Sequence, residues 1–279
     1  MSIKIVNPQE DMHGNKKENI FLALGSNNEY IAHSYVWAYE NYHTCYAKPR
    51  NIFLSLEVPQ IIENEKESVR ELLFKSALER AYLLKDELWK GLSVRIYGGA
   101  MADQKDKLDF LISKGFVNND AVLVMKAEII SNHKEKAPSR CTVKRNLLQS
   151  DEEQKAFINR HNGIFTSELD NSKLDYFIQQ KNWAVFSMYK NGKIIGECMV
   201  FEKESTGYIE MFYILPEMRG TGAAGVLMNN AFNFLSECGY MQVSLNVWQR
   251  NARSIKFYEK CGFLLTGEKI EEYPGIDVE

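Results

Sequence analysis

The chain has 279 residues, 45% of them apolar and 25% charged, with a formal net charge of −3 and a pI near 6.0. That length holds one large domain or two small ones, and the balance excludes a largely disordered, collagenous or linker-rich chain. The near-neutral charge supplies no general basic field for nucleic acid. Cys45, Cys141, Cys198, Cys238 and Cys261 form no CxxC pair, and His13, His33, His43, His133 and His161 are scattered without HxxxH or HxH. Neither a disulfide framework nor a metal site is expected, and the cysteines read as small buried residues. The N-terminus lacks a basic segment followed by a long apolar one. No apolar run approaches the ~20 residues that span a bilayer, so a cytoplasmic protein without a membrane partner is expected.

In chain order, residues 20–24 are a short apolar run ending on the turn formers Gly25 to Asn28. Tyr30 to Tyr39 is rich in β-favouring residues and predicts a strand, as does Asn51 to Val58 before Pro59. From Glu65 to Leu88 the period changes: Val69, Leu73, Ala77, Ala81, Leu84 and Leu88 mark one buried helix face. Leu92 to Tyr97 predicts a strand, Leu108 to Ser113 a short helix ended by Gly115, and Ala121 to Ile129 a further strand. Residues 131–140 are polar, charged and broken by Pro138, as in a linker. Thr142 to Leu147 predicts another strand. Ser150 and Glu153 then form a capping-box pattern, with helices through much of 151–180. Asn191-Gly192 joins the runs Trp183 to Tyr189 and Lys193 to Phe201 as a hairpin. Next come a strand, Tyr208 to Leu215, and a helix with Ala224, Leu227, Met228, Ala231, Leu235 and Cys238 on one face, ended by Gly239. A strand from Gln242 to Val247, a helix from Ser254 to Lys260 and a last strand from Leu264 to Lys269 complete the chain.

The halves repeat. Laying Pro59 on Pro216 brings Val69 onto Val226, and a second anchor pairs Gly115-Phe116 with Gly262-Phe263. Both halves read strand pair, strand ending at Pro, long helix, strand, short helix, Gly-Phe, strand. This order predicts two copies of one α/β unit, spanning 1–130 and 141–279, the first lacking most of the initial helical region; the alternative is convergent α/β patterning.

The most informative stretch is Leu215 to Gly225, LPEMRGTGAAG, between a strand and a helix start. Its glycines permit tight turns and close backbone approach. The first N–H groups of a helix lack internal partners, and with the helix dipole they suit a phosphate or pyrophosphate. No GK[ST] follows, and no GxGxxG with a distant acid is present.

Here the chain resembles the GNAT superfamily of acyl-CoA-dependent N-acyltransferases. Arg219, Gly222 and Ala224 meet its [QR]xxGx[GA] signature; Asn251, Tyr258, Gly262 and Phe263 meet an N-x6-Y-x3-GF block. The resemblance covers roughly residues 141–270. It implies an α/β (α+β) fold of two tandem GNAT-like domains, each a mixed, largely antiparallel sheet flanked by helices. It also implies acetyl-CoA as co-substrate and no metal. Residues Arg219, Gly220, Thr221, Gly222, Ala223 and Ala224 would hold its pyrophosphate. Phe212, Ile214 and Leu215, on a bulged strand, would bind the pantetheine arm, with an N–H near Ile214 on the thioester carbonyl. Asn251 and Ser254 would also contact the cofactor. Tyr258 would give its proton to the departing thiolate, or simply pack as an aromatic.

A base must take the amine's proton. Glu210, expected to share a face with Tyr208 and Phe212, is the candidate, or else a solvated strand carboxylate. In the first half Ile62 stands for Arg219, Glu65 for Gly222, Glu67 for Ala224, Gln104 for Asn251 and Leu111 for Tyr258. Glutamates there repel a pyrophosphate, so the first half is expected to bind no acetyl-CoA and to serve substrate binding or structure. Tyr30, Tyr35, Trp37, Tyr39, Tyr42 and Tyr46 line a substrate cleft or pack; Tyr35, Trp37 and Tyr39 share a face and are expected in the core. The expected activity is transfer of an acetyl group to the primary amine of a small molecule, by direct attack on the thioester. The alternatives are a protein lysine or N-terminal acetyltransferase and a non-catalytic acyl-CoA sensor. A homodimer is left open.

Overall fold

The computed structural model describes residues 3–12, 14–40, 50–59, 66–129, 138–165 and 167–279. The chain divides into two compact units: Met1–Ala121 with Ile270–Glu279, and Val122–Lys269.

Unit 1 is built from β1 (Lys4–Val6), β2 (Ile20–Leu24), β3 (Tyr30–Glu40), β4 (Arg50–Glu57), α1 (Lys66–Trp89), β5 (Val94–Gly98), β6 (Ala100–Met101) and α2 (Lys105–Ser113). Then follow β7 (Ala121–Glu128), β8 (Cys141–Asn146), α3 (Asp151–Asn162), α4 (Asn171–Ile178), β9 (Ala184–Lys190), β10 (Lys193–Lys203) and β11 (Thr206–Ile214). The chain ends with α5 (Ala223–Glu237), β12 (Gln242–Trp248), α6 (Ala252–Lys260), β13 (Leu264–Glu272) and β14 (Gly275–Val278).

Both units are mixed sheets flanked by helices. The sheet of unit 1 runs β1-β2-β3-β4-β5-β14; that of unit 2 runs β13-β7-β12-β11-β10-β9-β8. Each contains a parallel pair, β4 with β5 and β11 with β12, bridged by the long helix α1 or α5. Each sheet also contains a strand from the other half of the sequence. β7 pairs antiparallel with β12 along Gln242–Trp248, and β14 pairs antiparallel with β5. The compact units therefore part at Ala121/Val122 and Lys269/Ile270, away from the expected break at 131–140, most of which lies outside the described residues. Strand β14 was not foreseen: its four residues are too few for a period to show.

Local signals act as their chemistry requires. Asn191 and Gly192, both at positive φ (50° and 79°), turn β9 into β10. Ser150 Oγ accepts from the Glu153 N–H, and the Glu153 carboxylate accepts from the Ser150 N–H, capping α3. Along α1, Val69, Leu73, Ala77, Ala81 and Leu84 are buried as the period predicts, while Leu88, in the last turn, is exposed.

One core expectation is corrected. The face of β3 under α1 carries Ala32, Ser34 and Val36, and Ser34 Oγ donates to the Leu73 carbonyl. Strand alternation then sends Tyr35, Trp37 and Tyr39 to the opposite face. There Trp37 is 43% exposed and Tyr39 meets the Tyr97 hydroxyl at 2.5 Å. These aromatics lie outside the helix-covered core. Tyr42 and Tyr46 fall outside the described residues.

Candidate active site

The site candidates gather around β11. Opposite β10, Met199 pairs with Met211 but Val200 pairs with Ile209, so Glu210 is an extra, bulged residue. A bulge shifts the side-chain period by one. Tyr208, Met211 and Tyr213 pack in one buried cluster; Ile209, Ile214 and, at its margin, Phe212 pack in another. The expectation that Tyr208, Glu210 and Phe212 share a face is thus corrected: Tyr208 and Phe212 face opposite ways.

The bulge also marks where the sheet opens. The parallel pairing of β11 with β12 covers only Gly207–Ile209 against Val243–Leu245, although both strands continue. The Leu215 N–H donates to the Ile195 carbonyl of β10 at 2.9 Å. By alternation Tyr213 and Met211 bond toward β10, which turns the backbone groups of Ile214 and Phe212 toward the open side. The Leu215 N–H itself is taken by β10.

Beyond β11, Pro216–Met218 form a 3-10 turn, and Thr221 Oγ1 donates to the Met218 carbonyl at 2.7 Å. Gly220 and Gly222 sit at φ 75° and 85°, with open space where a Cβ would project. A side chain at either position would strain the backbone. Gly222 is the N-cap of α5 and offers no side-chain cap; the first turn holds no acidic residue, and the first bond across it is Val226 N–H to the Gly222 carbonyl. The N–H groups of Ala223, Ala224 and Gly225 precede that bond and carry the positive end of the helix dipole. Gly220, Thr221 and Gly222 are exposed.

On α6, Asn251 is the N-cap, and its Oδ1 accepts from the Ser254 N–H at 3.2 Å. Tyr258 is buried. Its ring stands edge-on to Phe212 (6.3 Å) and Phe263 (5.8 Å), so α6 and β11 meet at this phenol. Burial, reinforced by Cys198 and Cys261, raises the Tyr258 hydroxyl far above its ordinary value, so it holds its proton. Glu210 is exposed as a residue, yet desolvation by the protein around its carboxyl raises it above the usual carboxylate range; Lys203 opposes the shift. Tyr208 is pushed up by burial and by both Glu210 and Tyr258, so the two catalytic candidates lie within electrostatic reach of one side chain.

Sequence reasoning missed the Glu197 cluster. This fully buried carboxylate of β10 accepts from Arg160 Nε and Nη2 (3.0 and 2.9 Å), Ser187 Oγ (2.8 Å) and the Tyr213 hydroxyl (2.8 Å). It ties α3, β9 and β11 together beside Ile214. A lone acid inside the apolar run Ile194 to Phe201 was its signal, since a buried charge requires partners. No group of three or more His, Cys, Asp or Glu able to hold a metal occurs among the described residues. No helix there is long and apolar enough to cross a membrane.

Residues 150–263 match the acetyltransferase (GNAT) family. The chain carries a GNAT domain. An uncharacterized N-acetyltransferase of Mycobacterium tuberculosis is 28% identical over 104 residues, which is 37% of this chain and 67% of that protein. One from Archaeoglobus fulgidus is 28% identical over 96 residues, 34% of this chain and 56% of that protein. A GCN5-related N-acetyltransferase from Sphaerobacter thermophilus shares the fold across both units, with TM-score 0.51 and 16% identity, covering 96% of this chain and 82% of that one. In unit 1, the residues laid on Arg219 and Gly222 (Ile62 and Glu65) lie outside the described residues. Leu111, laid on Tyr258 of the GNAT domain, is fully buried; Gln104 is the N-cap of α2 but makes no side-chain bond to that helix, its Oε1 accepting from the Met101 N–H at 3.2 Å.

Proposed function

We propose that the chain is an acetyl-CoA-dependent N-acetyltransferase acting on the primary amine of a small molecule, with one active site in the GNAT domain. The observation that carries this reading is the unpaired edge of β11 at Phe212 and Ile214, continuous with an uncapped, glycine-framed helix start. When bound, acetyl-CoA supplies an acyl group activated as a thioester. The backbone from Arg219 to Ala224 would hold its pyrophosphate, with close approach permitted at Gly220 and Gly222. Phe212 and Ile214 present backbone groups to an extended arm, and the Ile214 N–H is placed to donate to oxygen as negative charge develops there. Leu215 would contribute side-chain contact only. Asn251 and Ser254 would reach the cofactor through the Asn251 amide nitrogen and the Ser254 hydroxyl, since Oδ1 and the N–H already bond each other. Glu210 takes the proton of the attacking amine, directly or through water, and its raised pKa suits that task. Tyr258 gives its proton to the leaving sulfur. Unit 1 serves substrate binding or structure.

Release of free thiol from acetyl-CoA with a panel of small amines tests the reading. Amine-dependent release is expected. Tight CoA binding with no amine accelerating release would establish a sensor instead, and release only with peptide lysines or N-termini would establish a protein acetyltransferase.

A further inference from the structure

Unit 1 has a cleft of its own, about 50 Å³, between the end of β4, the first turns of α1 and the start of α2. Leu56 and Val58 form one wall; Lys66, Arg70 and Lys107 converge on it, with Glu57 and Asp106 beside them. The burial is lopsided. The side chains of Arg70 and Lys107 are 10% and 12% exposed and that of Lys66 22%, whereas Asp106 and Glu57 are 50% and 49% exposed. The cations therefore lie inside and the carboxylates at the rim.

One buried and two partly buried cations call for matching negative charge. Among the described residues two carboxylates provide it, unevenly. Asp106 is shared by Lys66 at 2.5 Å and Arg70 at 2.8 Å, and both hold its carboxyl well below the usual range. Lys107 reaches only Glu57, at 3.5 Å, and that same carboxylate oxygen already accepts from Ser55 Oγ at 2.6 Å. Lys107 is the least satisfied charge in the cleft.

We propose that this cleft binds a phosphoryl dianion, as free phosphate or as the phosphate of a small phosphomonoester, with Asp106 as the built-in anion that the ligand displaces. The charges support it: with Asp106 swung out to solvent, the dianion and Glu57 balance Lys66, Arg70 and Lys107. The chemistry agrees, because the Arg70 fork and two ammonium groups are the donors that a tetrahedral oxyanion takes. The cleft is small, about 50 Å³, as suits a single phosphoryl group.

The test is calorimetric titration of the full chain with inorganic phosphate and, separately, glycerol phosphate. Saturable binding is expected in the natural chain and in Gly222→Glu, which alters only the GNAT-domain loop. Lys107→Gln should weaken binding about tenfold or more and Lys107→Arg should restore it. Asp106→Asn, which removes the competing charge, should tighten it. Tighter binding of glycerol phosphate identifies a phosphomonoester as the ligand; tighter binding of inorganic phosphate identifies the free ion. If Gly222→Glu abolishes binding while Lys107→Gln leaves it intact, the phosphate sits in the GNAT domain and the proposal is overturned; absence of saturable binding also overturns it. Thermal unfolding of each variant confirms folding, and the Lys107 pair decides the matter if Asp106→Asn does not fold. The outcome is independent of whether amines are acetylated.

Discussion

At the scale of single residues, Tyr258 and Glu210 are pushed the same way, upward, which favours Glu210 as the proposed base and makes Tyr258 a weaker acid than a free phenol. A phenol that holds its proton donates only when a strong base forms beside it; a carboxyl raised above its ordinary value accepts a proton more readily. Tyr258→Phe keeps the ring packing against Phe212 and Phe263, so steady-state kinetics should show kcat reduced roughly 10²-fold with CoA affinity little changed. Glu210 must be ionised to act, so the rate should rise with pH through its raised pKa, and Glu210→Gln should remove that acidic limb. The stability effect has the opposite sense. A pKa raised in the folded state means that stability falls as pH climbs from the unfolded value through the folded one. Glu210→Gln should therefore melt higher than the natural protein at neutral pH while turning over more slowly.

At the scale of elements, β11 is positioned by its neighbour. A Cβ on Gly196 of β10 would come within 2.7 Å of the Tyr213 carbonyl oxygen and 2.3 Å of Ile214 Cδ1. Gly196→Ala should push the end of β11 away, costing about 1–3 kcal/mol in denaturant unfolding and lowering kcat through the displaced Ile214 N–H. Elements of this kind were only partly legible. Asn191-Gly192, the Ser150 capping box and the α1 face are written in adjacent residues, and the structure has them. The bulge at Glu210 is not: it depends on how β10 pairs with β11, and a period of two read along a single strand placed Phe212 on the wrong face. Tyr35, Trp37 and Tyr39 were read in the right alternation, but which face lies under α1 is decided by packing.

For the molecule as a whole, the exchanged strands make the halves of the sequence interdependent. A fragment beginning at Pro138 retains the GNAT signatures but loses β7, which lies between β12 and β13 and buries Val124, Met125 and Ala127. Its β14 is also deprived of β5. Expressed alone, residues 138–279 should be aggregated or unfolded by circular dichroism and bind no CoA, and supplying residues 1–137 in trans should recover soluble protein.

The sequence by itself determined the order of the α/β elements, the glycine-rich loop from Arg219 to Ala224 and the resemblance to GNAT enzymes, because each is set by residues close together in the chain. Only the tertiary structure decided which strand joins which sheet, where β11 leaves β12, and that Glu197 is held by Arg160, Ser187 and Tyr213. Strand pairing and the burial of charge depend on partners distant in sequence. The length that allowed one large domain or two small ones is thus folded as two units, neither of which is built from a continuous half of the chain.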